Sequence, residues 1–283
     1  MGNMSNMKNM NAMRAKKSLV FTFLLLAWGL LAIIFGKYDL AISNLFVNQS
    51  TTWAQKLKWL GVFVAPILLT YGGIIINVYY LRMSTIPCQC MRVIFSLLCI
   101  EYGLWNFVTT GLKFKDERTF ALAIIFFISI GLLYICMAKM SMKHLRKMKA
   151  IGMTTILLVL IATSVIDIIK AEWGRMRYRD MINPDLEFTP WYLPQGFTGH
   201  RSFPSGHTAQ ASMLFTITMF ANMVQNKLSK ILCYLLPIIC ILVMAVSRVL
   251  LGAHFCSDVL FGMGITITLF YFIKYFVMKY NIE

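Results

Sequence analysis

Eight mostly apolar runs, over residues 18–36, 59–81, 93–112, 119–140, 151–169, 208–225, 231–249 and 255–278, set the terms on which this chain can fold. Each approaches the roughly 20 residues an α-helix needs to cross the hydrocarbon core of a bilayer. They predict an all-α, polytopic transmembrane bundle of about eight spans. Composition agrees, with 59% of the 283 residues hydrophobic and 13% charged.

A formal net charge of +16 raises nucleic-acid binding as one reading, but Lys and Arg also gather in the cytoplasmic loops of membrane proteins. With a cytoplasmic N-terminus, the basic clusters at Lys8, Arg14, Lys16 and Lys17, at Arg82 and Arg92, in KMSMKHLRKMK (139–149), at Lys227 and Lys230, and at Lys274 and Lys279 share that side. Topology accounts for them, and no nucleic-acid partner is expected. Three regions follow: a polar, basic cytoplasmic segment at 1–17, about four transmembrane helices over 18–150, and a region over 151–283 that carries the most unusual polar residues. The N-terminal segment has no small-residue cleavage pattern behind it and reads as part of a retained anchor. Asn6 stands where a myristoylation pattern has Ser or Thr. Seven cysteines lie mostly in apolar runs, and the Cys88–Cys90 spacing is too short for a zinc pair.

Three polar segments sit where predicted spans meet the opposite face: KAEWGRMR (170–177), PSGH (204–207) and SRVLLGAHFCSD (247–258). Their cations Lys170, Arg177 and Arg248, like Arg175, Arg179 and Arg201 nearby, run against the topology rule and need another reason. Ser205, Gly206 and His207 open a helix whose free N–H groups and positive dipole end suit an anion. Gly206 lets backbone approach closely, and Ser205 adds a hydroxyl donor. His254 and Asp258, four apart on one helix face, allow the carboxylate to fix the ring's tautomer and leave the other nitrogen as nucleophile or base. Arg248 can present a planar fork to phosphate oxygens, and Lys170 and Arg177 complete a cationic cage. Taken singly these are caps, snorkelling anchors and local hydrogen bonds. In order, on one face, they point to phosphoryl chemistry.

The segments resemble the three signature motifs of the type 2 phosphatidic acid phosphatase superfamily of lipid phosphate phosphatases. Lys170 and Arg177 match the first, Pro204 to His207 the second, and Ser247, Arg248, His254 and Asp258 the third, while Tyr178 stands where the first motif has proline. The resemblance covers roughly the C-terminal half and implies a six-helix catalytic core, with 151–283 as the catalytic region. It implies His254 as the nucleophile, Asp258 as its orienting partner and His207 as the general acid. Lys170, Arg177, Ser205, Gly206 and Arg248 are implied to bind phosphate, with no metal and no cofactor. The implied activity is hydrolysis of a lipid phosphomonoester or pyrophosphate through a phosphohistidine, at the extracytoplasmic face of the plasma (inner) membrane. Polyprenyl pyrophosphate, phosphatidylglycerol phosphate, phosphatidate and a glycolipid phosphate all fit. A phosphotransferase using the same half-reaction and a non-catalytic lipid-binding or transport protein are the competing readings.

The stretch from about Lys170 to Gly206 is interrupted by Pro184, Pro190 and Pro194, which argue against a long helix. Its Phe188, Trp191, Tyr192 and Phe197 suit the headgroup layer.

Overall fold

The computed structural model describes residues 2–83, 88–112 and 117–280; the side chains of 2–21, 59, 88–89 and 117–119 lie outside that description, and with them the basic side chains expected at the N-terminus. Among the described residues the chain is helical and holds no strand. In order the helices are α1 (Gly2–Phe46), α2 (Thr52–Gly61), α3 (Val64–Leu81), α4 (Cys88–Leu112), α5 (Glu117–Lys139), α6 (Met142–Trp173), α7 (Pro184–Glu187), α8 (Gly206–Met213), α9 (Lys227–Leu250) and α10 (Cys256–Tyr280). Seven of them, α1, α3, α4, α5, α6, α9 and α10, contain stretches long and apolar enough to cross a membrane. Their outer faces carry exposed large side chains such as Phe23, Ile33, Trp105, Ile125, Leu236 and Ile239. An apolar exterior of this extent has hydrocarbon as its solvent, and the protein is an integral membrane protein.

Two of the eight expected runs take a different form. The run at 59–81 is divided between the end of α2 and all of α3, with the break at Val62 and Phe63. The run at 208–225 is α8 followed by a 3₁₀ helix, Leu214–Asn222. Hydroxyl bonds accompany the second change. Thr216 and Thr218 donate to the carbonyls of Met213 and Phe215, each three residues back, and Ser212 donates to Thr208 O. At the 3₁₀ rise the composite element still extends about 30 Å.

α3 is the most enclosed helix, buried from Gly72 to Tyr80 between α4 and α6. Asn77 donates to Ser96 Oγ on α4 at 3.1 Å, and the Tyr71 hydroxyl meets Ser129 Oγ on α5. α6, α8, α9 and α10 form the other half of the bundle. α6 runs unbroken through residue 150, where the sequence suggested a division.

The start of α8 is seated on the first turns of α10, since Ser205 N–H donates to Asp258 O at 2.8 Å. Gly262 makes this approach possible, because a Cβ there would collide with the Ser205 carbonyl oxygen. Gly131 on α5 has open space around it. Gly262→Ala is expected to cost about 1–3 kcal/mol by overpacking, seen as a lowered thermal midpoint in detergent, whereas Gly131→Ala should leave the midpoint in place. Equal midpoints for the two variants would show that α8 and α10 are not held this closely.

Candidate active site

The site begins where α6 stops. Gly174 is left-handed (φ 57°) at the end of α6, and a Cβ at this position would strike Gly196 O. The chain therefore turns sharply. Thr198 Oγ1 donates to Gly174 O at 2.6 Å and Gln195 N–H to Trp173 O at 2.8 Å, pinning the turn to the following loop. Immediately beyond it Arg175 points inward and is fully buried. Its guanidinium reaches Asp39 of α1 at 3.0 Å, Asp258 of α10 at 2.6 Å and Ser257 Oγ at 2.8 Å. Asp39 also accepts from the Ser257 N–H at 3.0 Å and from its hydroxyl. The Phe255 ring lies 4.1 Å from the guanidinium carbon.

Asp258 has further partners: Ser202 Oγ donates to it at 2.6 Å and the Phe255 N–H at 2.9 Å. The expected hydrogen bond to His254 takes another route. His254 Nδ1 lies 2.7 Å from the backbone oxygen of Ser202, whereas Asp258 Oδ2 stands 3.7 Å from it. A carbonyl can only accept, so Nδ1 carries the proton and Nε2 keeps its lone pair. Asp258 thus orients the ring chiefly through Ser202, which it grips by the hydroxyl. Burial pulls the His254 pKa down to about 4 against the smaller opposing pull of Asp258, so the ring is neutral near pH 7.

Ser205 caps α8, its hydroxyl accepting from Thr208 N–H. Lys170 is buried at the other side of this helix start, donating to Arg201 O at 3.1 Å, with Cε 3.2 Å from where a Cβ on Gly206 would be. His207 has Arg248, Lys170 and Lys58 as charged neighbours, with the His254 ring also close, and its Nε2 is buried with no hydrogen-bond partner. Arg248 donates to Ala54 O of α2 at 2.9 Å and to Ser247 Oγ at 3.2 Å. Arg177, lowered in pKa first by burial and then by Arg179, lies 3.7 Å from Asp180 and is among the charged neighbours of His254. The sequence-predicted residues Lys170, Arg177, Ser205, Gly206, His207, Arg248, His254 and Asp258 are therefore brought together around the start of α8 and the start of α10.

Asp39, Arg175, Ser202 and α2 were not read from the sequence as parts of this cluster. Arg175 did carry one signal, as a cation on the wrong side of the topology rule. Trp191 and Phe188, expected in the headgroup layer, pack inward: Trp191 Nε1 donates to Ala32 O at 2.9 Å and Phe188 meets Phe255 with ring centroids 5.3 Å apart. Tyr192 and Phe197 do remain exposed. Tyr178, in place of proline, sets its ring edge-on to Phe255 at 6.4 Å. Asp167, beside Lys170 in sequence, pairs with Arg201 at 3.0 Å. Among the described residues no three His, Cys, Asp or Glu side chains gather as a metal-binding group.

Residues 150–282, which hold every predicted site residue, match the model of the PAP2 superfamily. The phosphatidylglycerophosphatase B of Bacillus subtilis (strain 168) is 27% identical over 178 residues, covering 62% of this chain and 76% of that protein. No solved structure matches the chain.

Arg175→Met would leave two buried carboxylates without their ion-pair partner, and breaking a buried pair this way costs about 3–5 kcal/mol. Asp39→Asn keeps the Arg175–Asp258 pair and should cost less. Thermal unfolding of the purified variants is expected to rank Arg175→Met well below Asp39→Asn and wild type; the opposite order would remove Arg175 from the centre of the fold.

Proposed function

We propose that this protein is a membrane lipid phosphatase that hydrolyses a phosphomonoester or pyrophosphate of a lipid through a phosphohistidine on His254. The observation that carries the reading is the tautomer of His254: a neutral ring with Nδ1–H bonded to Ser202 O keeps the lone pair on Nε2, with Lys170 and Arg177 among its charged neighbours. Nε2 attacks phosphorus, forming an N–P bond as the P–O bond to the lipid breaks. His207 gives its proton to the departing oxygen; the arriving phosphate dianion favours its protonated form. Water then attacks phosphorus, His207 takes its proton, the N–P bond breaks and inorganic phosphate leaves. Lys170, Arg177, Arg248 and the N–H groups opening α8 stabilise the oxygens in both steps, so the mechanism as drawn uses no metal ion.

The PAP2 match and the printed activity of the Bacillus relative support this class of reaction. Orientation is part of the same proposal. Lys170 and the basic segment 139–149 lie at opposite ends of α6, so a cytoplasmic basic segment sets the site at the extracytoplasmic face. The α8–3₁₀ element, about 30 Å long, then serves as the eighth crossing.

The two histidines are separable by leaving group. Rapid-quench labelling with radioactive substrate should give no phosphoenzyme in His254→Ala. His207→Ala should lose about 10²–10⁴-fold on an alkyl lipid phosphate and much less on an activated aryl phosphate that needs no proton. Label retained in His254→Ala, or equal losses on both substrates in His207→Ala, would overturn the assignment.

Acidity gives a second check. A histidine of ordinary pKa is only about 3% neutral at pH 5, whereas a ring with a pKa near 4 is still mostly neutral there. Single-turnover labelling at subsaturating aryl phosphate, which reports the free enzyme, should therefore fall by less than about threefold between pH 7 and pH 5 once the substrate's own titration is corrected for. A fall of tenfold or more would mean that the attacking ring titrates normally.

A further inference from the structure

We propose, resting on the phosphatase reading above, that Lys58 of α2 binds a second anionic group of the substrate on the leaving-group side, so that the preferred lipid carries two phosphates. Residues 54, 57, 58 and 61 share one face of α2 by helical spacing. Three of them are seen at the site. Ala54 is buried and its carbonyl accepts from Arg248; Leu57 packs with Ala211 of α8 and Met244 of α9. A Cβ on Gly61 would come within 3.1 Å of His207 Cδ2. Lys58 occupies the same stripe, one turn from each of the contacts with Arg248 and His207.

Charge bookkeeping sets Lys58 apart. Asp39 and Asp258 are held by Arg175, Asp180 lies near Arg177 and Arg179, and Asp167 is paired with Arg201. Among the described residues no ion pair is made by Lys58, Lys170 or Arg248. Lys170 and Arg248 belong to the cradle of the transferred phosphoryl group. Lys58 is additional to that cradle, and its charged neighbours are Arg179, Arg248 and Arg177, all of its own sign. Gathering like charges is unfavourable until an anion arrives among them.

In-line transfer fixes which anion. His254 attacks from one side, and the leaving oxygen departs on the other, where His207 protonates it. A lysine one turn from the His207 contact therefore faces what the leaving oxygen is attached to. In phosphatidate this is a neutral ester backbone. In an isoprenoid diphosphate it is the second phosphate directly, and in phosphatidylglycerol phosphate it is a phosphodiester a short polyol away. The shared recognition chemistry is a second phosphate beside the one removed. α2 lies outside the 150–282 region, so this selectivity is supplied by a part of the chain beyond the PAP2 match.

The test measures kcat/KM of purified wild type, Lys58→Gln and Lys58→Arg on an isoprenoid diphosphate, phosphatidylglycerol phosphate and phosphatidate in the same micelles. A charge-assisted contact corresponds to about 10–100-fold. Wild type should prefer at least one two-phosphate lipid to phosphatidate by about tenfold or more; Lys58→Gln should erase most of that ratio and Lys58→Arg should keep it. Loss on the diphosphate alone, or on the polyol-spaced lipid alone, supports the subsite and measures its distance from the scissile phosphate. An unchanged ratio in Lys58→Gln, or an equal loss on all three lipids, overturns the subsite while His254 labelling by aryl phosphate still stands. A wild-type protein that neither labels nor turns over any of these substrates overturns the phosphatase reading and the subsite with it.

Discussion

The arrangement of this site depends on Arg175. Its guanidinium is completely enclosed and is shared by Asp39 from α1 and Asp258 from α10. A charge so placed is tolerated only with its partners and hydrogen bonds in position. The requirement ties three distant parts of the chain to one point: the end of the first spanning helix, the turn after α6 and the start of α10. Phe255 and Phe188 flank the guanidinium and keep the pair dry.

Asp258 extends that order outward. Its side chain holds Arg175, the Ser202 hydroxyl and the Phe255 N–H, while its backbone oxygen accepts from Ser205, the cap of α8. Ser202 in turn orients His254 through its carbonyl. One residue thereby sets the position of the His254 ring and of the start of α8. This differs from a carboxylate bonded directly to an imidazole, since the ring is bonded to a neutral acceptor and the negative charge remains with Arg175.

How much of this was legible in the sequence follows from the range of the interactions. The all-helical membrane architecture was legible because apolar length is a local property. His254, His207, Ser205, Gly206, Lys170 and Arg248 were legible because each sits in a short segment with a recognisable spacing. Arg175 was visible only as one basic residue among several: in WGRMR nothing local says which arginine turns inward, and the choice is made by the left-handed Gly174 and its contact with Gly196. Asp39 is separated from Arg175 by 136 positions, and no pattern connects them. The 3₁₀ helix was hidden because an apolar run with scattered threonines reads as span whichever helical turn it takes. The separate α2 was hidden because its C-terminal residues merge into the apolar run of α3.

The distance between Asp39 and Arg175 has a meaning for biosynthesis. A ribosome delivers Asp39 136 residues before the arginine that will neutralise it. An aspartate near the middle of a spanning helix opposes insertion by about 2.5–3.5 kcal/mol, and each leucine, isoleucine or phenylalanine returns roughly 0.3–0.6 kcal/mol. α1 carries a long stock of those residues ahead of Asp39, in FTFLLLAWGLLAIIF, and Asp39 follows that apolar stretch. The first helix can thus be accepted into the bilayer on its own, and it waits there with an unpaired acid until α6 has been made and the turn at Gly174 swings Arg175 into place.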